Sequence, residues 1–176
     1  MGRFPNLTAM ILSTPGGFDA DDNALSGFLA QVPQLARLCL VQPNVGSKFT
    51  LYALVIAAQH SALRYLELTM DGGTGPLPAL AESSPSFPSV LRELYVGHTR
   101  IRDPAPMANF LHTLFPALDN IEHQWLDEIE EYNVAPDDIA AALNAQFFAG
   151  RWDEVAQLME DMWEERSAEE SDQSTE

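Results

Sequence analysis

The sequence predicts an α/β fold, a solenoid in which a short, curved parallel sheet of about five strands is backed by helices and followed by a C-terminal helical hairpin. Three observations lead to this fold class. An apolar pattern six residues long returns five times at nearly constant spacing, a proline precedes most of the copies, and the segments between them mostly carry the periodicity of amphipathic helices.

Five strands are predicted from the repeated pattern apolar-x-x-apolar-x-apolar. Successive copies are spaced by 28, 28, 28 and 27 residues, and only His123 breaks the final position. Side chains alternate between the two faces of a strand, so Leu66 and Leu68 share one face while Tyr65 and Glu67 share the other. Leucines at equivalent positions are expected to stack into one core. The copies are "LTAMIL" (7–12), "LARLCL" (35–40), "LRYLEL" (63–68), "LRELYV" (91–96) and "LDNIEH" (118–123).

The turns before the strands follow the same period. Proline at this place favours an extended approach and prevents a preceding helix from continuing into the strand. Ser61 takes the place of the proline in the third unit, and Val90 is one extra residue in the fourth, which predicts a small bulge or a local slip of register. The entry dipeptides are Phe4-Pro5, Val32-Pro33, Phe87-Pro88 and Phe115-Pro116.

Helices are predicted in three of the segments between strands. Asp22 or Asn23 is expected to cap the first helix, Ser47 the second and Asp103 the third. The segment after the third strand, "DGGTGPLPALAESSPSFP", holds too much Gly and Pro for more than a short turn of helix. The three helical segments are "DDNALSGFLAQV", "GSKFTLYALVIAAQH" and "DPAPMANFLHTLF".

The chain divides into three predicted parts: irregular repeats over residues 1–126, a C-terminal helical cap over 127–166 and a disordered acidic tail over 167–176. The cap is expected to be a hairpin of "APDDIAAALNAQFF" and "GRWDEVAQLMEDMWEE", broken at Gly150. Such a hairpin would cover the open end of the repeat stack, and the alternative is a docking helix for a partner. The apolar stripes of the two helices are Ile139, Leu143 and Phe147, and then Trp152, Val155, Met159 and Met162 or Trp163.

The net charge of −17 is concentrated in the last third of the chain. Residues 1–116 hold 8 acidic and 7 basic residues, a net −1, whereas residues 117–176 hold 18 acidic and 2 basic residues, a net −16. An acidic region of this kind repels a phosphate backbone, so we expect no nucleic-acid partner. No apolar run reaches the roughly 18 residues of a membrane helix, and the first residues lack a signal-peptide core. We therefore expect no membrane association and an intracellular protein, either cytoplasmic or nuclear.

The sequence shows no catalytic constellation. "DGGTGP" lacks the spacing and the Lys-Ser/Thr of a phosphate-binding loop, and the four histidines are scattered along the chain without an H-x-x-x-H pair. Cys39 is the only cysteine, which gives neither a disulfide nor a metal-binding set. We expect a protein that is not an enzyme and that binds no cofactor and no metal.

The side chains that alternate with the leucines form a candidate partner-binding face. Two tyrosines on adjacent strands, beside an arginine and several acids, have the composition of a contact surface, because Tyr and Arg are enriched at interface hot spots. The alternative is that any solvated parallel sheet displays some such set. Exposed apolar side chains at Ile11, Cys39 and Val41 favour the binding interpretation. The candidate residues are Arg37, Cys39, Tyr65, Glu67, Glu93, Tyr95 and Glu122.

The repeats resemble the leucine-rich repeat family through "LARLCL", "LRYLEL" and "LRELYVGHTRI". Their period lies within that family's range of roughly 20–29 residues. Pro15, Pro43, Asp71 and Thr99 stand where the family has Asn or Cys after the strand. The resemblance therefore implies irregular repeats without an asparagine ladder along the turn.

Residues 4–126 are also similar to the C-terminal repeat region of fungal F-box-type leucine-rich repeat proteins. The resemblance rests on "FPNLTAMILST", "FPSVLRELYVGHTRI" and the acidic helical end. It implies that the repeats recognise a protein substrate of a ubiquitin ligase, and that Skp1–cullin ligase components are reached through an F-box missing from this chain. The alternative is a stand-alone scaffold or a truncated repeat remnant with no ubiquitin-ligase role. The sequence does not identify the protein target.

Overall fold

The computed structural model describes residues 4–14, 17, 19–41, 47–72, 76–80, 87–125 and 139–173, with the side chains of residues 140–165 in the last range. Within these ranges the chain forms five strands and four helices. In chain order they are β1 (Ala9–Ser13), α1 (Asp22–Leu29), β2 (Arg37–Val41), α2 (Tyr52–Ala58), β3 (Tyr65–Leu68), β4 (Glu93–Tyr95), α3 (Pro104–Leu114), β5 (Asn120–Glu122) and α4 (Ile139–Gln173).

The strands form one open parallel sheet whose order is the order of the chain, with β1 and β5 at its edges. The register aligns Ala9, Arg37, Tyr65, Glu93 and Asn120 in one row across all five strands. These offsets equal the spacings of the repeated pattern, so the five predicted strands and their register are confirmed. The extra residue before β4 causes no slip in its pairing with β3.

The leucine face of the sheet packs into the core together with the helices. Leu38, Leu66 and Leu94 on the central strands are at most 2% exposed. They belong to one apolar cluster with Leu54 of α2 and Leu111 of α3. Each fully buried leucine contributes roughly 1.5–3 kcal/mol, so the stack of equivalent leucines contributes substantially to the stability of the repeats.

Polar contacts also link neighbouring repeats on the helical side. The Thr50 hydroxyl donates to the Asp22 carboxylate over 2.6 Å, and the His60 ring Nε2 lies 3.0 Å from the Val32 carbonyl oxygen. Both pairs are separated by 28 residues, which is one repeat. Equivalent positions are therefore tied by side chains as well as by the strands.

The cap of α1 differs from the sequence prediction, which named Asp22 or Asn23. Asp21 is the cap, and its carboxylate accepts a hydrogen bond from the Ala24 amide over 2.9 Å. Asp22 is instead the first helical residue, and its carboxylate is occupied by the amide and hydroxyl of Thr50 in the next repeat. The tertiary contact with Thr50 thus decides which of the two adjacent aspartates caps the helix.

The second helix is shorter than predicted and the third begins as predicted. Ser47 does not cap α2, because the helix begins only at Tyr52, with Leu51 at the N-cap position. The Ser47 hydroxyl instead donates to the Thr69 carbonyl over 2.8 Å. Asp103 occupies the N-cap position of α3 with Pro104 in the first turn, as expected, although its side chain makes no capping hydrogen bond. The described residues between β3 and β4 contain no helix, in agreement with their Gly and Pro content.

The predicted C-terminal hairpin broken at Gly150 is wrong. Helix α4 is a single helix of 35 residues that continues through Gly150. A glycine inside a helix costs only about 1 kcal/mol, which the buried contacts of Ala149 and Trp152 on either side outweigh. The helix also runs to Gln173, into the range 167–176 for which the sequence predicted disorder. Residues 127–138, where the cap was predicted to begin, lie outside the described residues.

Helix α4 is anchored to the repeats by Trp152, at a carbonyl that Trp125 after β5 also binds. The indole N–H of Trp152 donates to the Thr99 carbonyl over 2.7 Å, and that of Trp125 donates to the same oxygen over 3.2 Å. Trp152 is 1% exposed. The stripe predicted earlier in the helix is not buried, since Leu143 and Phe147 are 60% and 52% exposed.

Candidate functional site

The sheet register brings all seven candidate residues onto one face, opposite the leucines. One row across the strands contains Arg37, Tyr65 and Glu93, and the next contains Cys39, Glu67, Tyr95 and Glu122. We call this surface the outward face, and it is completed by Ala9 and Ile11 on β1 and Asn120 on β5. Tyr65 and Tyr95 are diagonal neighbours on adjacent strands, since Tyr65 pairs with Glu93 and Tyr95 with Glu67.

The centre of the outward face is a contact network around Tyr65. The Arg37 guanidinium carbon lies 4.0 Å from the centroid of the Tyr65 ring, which is a cation–π geometry. The Tyr65 hydroxyl donates to the Glu67 carboxylate over 3.3 Å. Burial and the nearby Glu67 charge raise the pKa of Tyr65 to about 12, so the hydroxyl remains a donor at neutral pH. The tyrosine is thereby held in one orientation.

Cys39 is on the predicted face but is not exposed, contrary to the sequence interpretation. It is 3% exposed, because the register places it between two longer side chains, Ile11 and Glu67. Burial, followed by the Glu67 charge, raises the pKa of the Cys39 thiol to about 11. The thiolate is the reactive form of cysteine, so this thiol is chemically inert at neutral pH.

The β4–β5 side of the face is acidic and more open. Glu93 and Glu122 are exposed, and Tyr95 between them is half-buried. The Asn120 amide donates to the Glu122 carboxylate over 2.6 Å. The outward face therefore runs from an apolar edge at Ile11, through the Arg37–Tyr65 pair, to a carboxylate-rich edge.

Sequence reasoning missed a groove beside this acidic edge, between β5 and α4. It has a volume of about 430 Å³. The His123 ring Nε2 lies 3.1 Å from the carboxylate of Asp153 on α4. The groove exists because α4 docks on the last repeat, where Trp152, Val155 and Met159 of the predicted apolar stripe are buried. The sequence predicted a cap at this end of the repeats but not the groove beside it. Its lining consists of Asp119, Asn120, Ile121, Asp153, Ala156, Gln157, Glu160 and Trp163.

The described residues offer few other candidate sites. In the described ranges, no group of three or more His, Cys, Asp and Glu is placed to hold a metal ion. A second cavity of about 300 Å³ lies on the helical side, and its lining includes only one ion pair, Arg102 with Asp103. None of the helices that the structure describes has both the length and the apolar character needed to cross a membrane.

No protein-family model, curated protein or solved structure matches the chain. Membership of the leucine-rich repeat or F-box families therefore stays a prediction, and the function has to be argued from the outward face itself.

Proposed function

We propose that this chain is a protein–protein interaction module, built as a leucine-rich-repeat-like solenoid, that binds its target on the outward face. The observation that carries the proposal is the convergence of Arg37, Tyr65 and Tyr95 on one sheet surface. Tyr and Arg dominate interface hot spots because they bury a large area and keep a polar group for hydrogen bonding.

Preorganisation supports this function. Tyr65 is fixed by the stacked Arg37 on one side and by the bond to Glu67 on the other. A side chain that is already immobilised loses little entropy when a partner binds, whereas ordering a free side chain costs about 0.5–1.5 kcal/mol. The parallel sheet beneath it is tied at every repeat, so the tyrosines are held by a rigid element.

The size of the face indicates what kind of target it accepts. Five strands at about 4.8 Å separation span roughly 19 Å, and three residues along each strand span roughly 10 Å. The resulting area of about 200 Å² is well below the roughly 800 Å² per partner of a standard interface. The face therefore suits a short segment or loop of the target, with its centre over Tyr65 and Tyr95.

The pathway proposal rests on the resemblance to F-box-type repeat proteins. In that proposal the outward face recruits a ubiquitin-ligase substrate, and Skp1 and the cullin are contacted by an F-box that these 176 residues do not contain. The binding role does not depend on this link, because a stand-alone scaffold would use the same face.

Affinity capture from the lysate of the source cell tests the binding role. The wild-type chain is compared with Tyr65→Ala/Tyr95→Ala and with Tyr52→Ala, which removes a 50% exposed tyrosine on α2, away from the outward face. We expect a protein that is held by the wild type and by Tyr52→Ala but lost by the double variant, with all three chains folded by circular dichroism.

Equal capture by all three folded chains would refute the outward face as the binding surface. Skp1 or a cullin in the wild-type sample would support the ligase pathway. A specific target without either protein would favour the scaffold interpretation.

A further inference from the structure

The residues of the edge strand β1 are more exposed to solvent than those of its neighbour β2. Four of its five residues are exposed and the fifth is half-buried, whereas three of the five residues of β2 are buried. Ile11 is 63% exposed and Leu12 is 39% exposed, so apolar side chains reach solvent on both faces of the strand. Within the part of the chain that the structure describes, β1 has a strand partner on one side only.

The backbone of β1 presents hydrogen-bonding groups along that free edge. The Thr8 carbonyl accepts from the Ala36 amide over 2.8 Å, and the Thr14 amide donates to the Val41 carbonyl over 3.3 Å. Backbone groups alternate in direction along a strand, so even-numbered residues bond to β2 and odd-numbered residues point away from it. The amides and carbonyls of Ala9, Ile11 and Ser13 are therefore directed outward.

The two edges of the sheet differ in how they are protected. Natural edge strands are blunted by charges, prolines, bulges or short length. β5 is three residues long, contains Glu122 and follows Asp119 directly, and α4 lies beside it. β1 is five residues long, AMILS, and contains neither a charge nor a proline. Only the β1 edge has the properties of a pairing surface.

We infer that β1 pairs in antiparallel fashion with β1 of a second copy of this chain, about a two-fold axis at Ile11. In that register Ile11 is opposite the partner's Ile11, Ala9 is opposite the partner's Ser13, and Met10 is opposite the partner's Leu12. The outward-directed residues Ala9, Ile11 and Ser13 then fall at the hydrogen-bonded positions. Ile11 then meets Ile11 on one face and Met10 meets Leu12 on the other, and the small residues Ala9 and Ser13 face each other, so the strand is complementary to itself.

The charge distribution permits this partner. Residues 1–116 carry a net −1 and residues 117–176 a net −16. Joining two copies at β1 brings the near-neutral repeats together and keeps the acidic ends at the far edges of a ten-stranded sheet. Because the axis is perpendicular to the sheet, both outward faces lie on the same side of the dimer. This inference does not depend on the proposed binding function.

Light scattering coupled to size-exclusion chromatography tests the dimer with the full chain. We expect the wild type to elute at twice the 19.4 kDa mass of the monomer. Ile11→Lys and Ile11→Glu should each be monomeric, since the two-fold axis places like charges opposite each other. An equimolar mixture of the two variants should recover the dimer, because Lys then faces Glu. Ser26→Lys, on the exposed surface of α1, controls for the added charge and should remain dimeric.

Three results would overturn the inference. A monomeric wild type would show that β1 does not pair with a second copy. The candidate partner of the β1 edge would then be a strand of a different protein. A dimeric Ile11→Lys variant would place the contact on another surface. Monomeric single variants that stay monomeric on mixing, with native circular dichroism, would exclude the two-fold axis at Ile11.

Discussion

Glu67 lies next to Tyr65 and Cys39 on the outward face and influences the protonation of both. It accepts the hydrogen bond of Tyr65 and raises the pKa values of both Tyr65 and Cys39, in addition to the larger effect of burial. The result is a face on which the phenol and the thiol both stay neutral at physiological pH.

The buried thiol gives a direct prediction. With a pKa of about 11, Cys39 at pH 8 is a thiolate for roughly one molecule in a thousand, against about one in ten at a pKa of 9. Alkylation of the native chain should therefore be at least about a hundredfold slower than that of the chain unfolded in guanidinium. Glu67→Gln should accelerate the native reaction, because one cause of the raised pKa is removed. Equal rates in the native and unfolded chains would contradict the burial of Cys39.

Gly97 gives a second prediction at the residue scale. Its φ is +54°, and an added Cβ would overlap Thr69 Oγ1 in the preceding repeat. Gly97→Ala should lower the free energy of unfolding by about 1–3 kcal/mol in urea denaturation, through backbone strain and the overlap. The loss should be smaller in a Thr69→Ala background, where the overlap is relieved but the strain remains. An unchanged stability would contradict the close approach of the two repeats.

At the scale of elements, the continuity of α4 through Gly150 is open to test. Nothing lies within 4 Å of a Cβ added at Gly150, and the same is true of Gly27 in α1. Gly150→Ala and Gly27→Ala should each raise the free energy of unfolding by about 0.5–1 kcal/mol, since alanine lowers the entropy of the unfolded chain and favours the helix. If Gly150→Ala destabilises the chain while Gly27→Ala stabilises it, the helix does not continue there.

Strands were predicted better than helices, for a physical reason. The register of a parallel sheet at a fixed repeat depends on spacing and alternation, and both can be counted in the sequence. Helix ends depend on tertiary contacts such as Thr50 with Asp22 and Ser47 with Thr69, which no local pattern reveals. The break expected at Gly150 failed for the same reason, because the docking of Trp152 on Thr99 favours the continuous helix.

The sequence predicted which residues share the candidate face, but not which of them are exposed. Alternation alone assigns all seven residues to one face, which is why the whole set is found together. The burial of Cys39 depends on the lengths of Ile11 and Glu67 across the neighbouring strands. The groove between β5 and α4 depends on the shape left between two segments distant in sequence, which the predicted cap did not specify.

At the scale of the whole molecule, the repeats and the last helix form different parts of the surface. The near-neutral repeats carry the outward face and the open edge at β1, while α4 lies beside β5 at the other edge. A dimer through β1 would place two outward faces on one side and make binding to a multivalent target stronger through effective concentration. In these two proposals, recognition uses the outward face around Tyr65 and Tyr95, and assembly uses the strand edge at β1.

We propose that Tyr65 and Tyr95 supply a large part of the binding energy for a protein target. Calorimetric titration of the captured target with the purified chain measures this most directly. We predict that Tyr65→Ala/Tyr95→Ala raises the Kd at least about tenfold, since hot-spot residues each cost more than about 1–2 kcal/mol when truncated. Tyr52→Ala should leave the Kd unchanged. A double variant that binds with wild-type affinity, or a Tyr52→Ala variant that binds as weakly as the double variant, would contradict the claim.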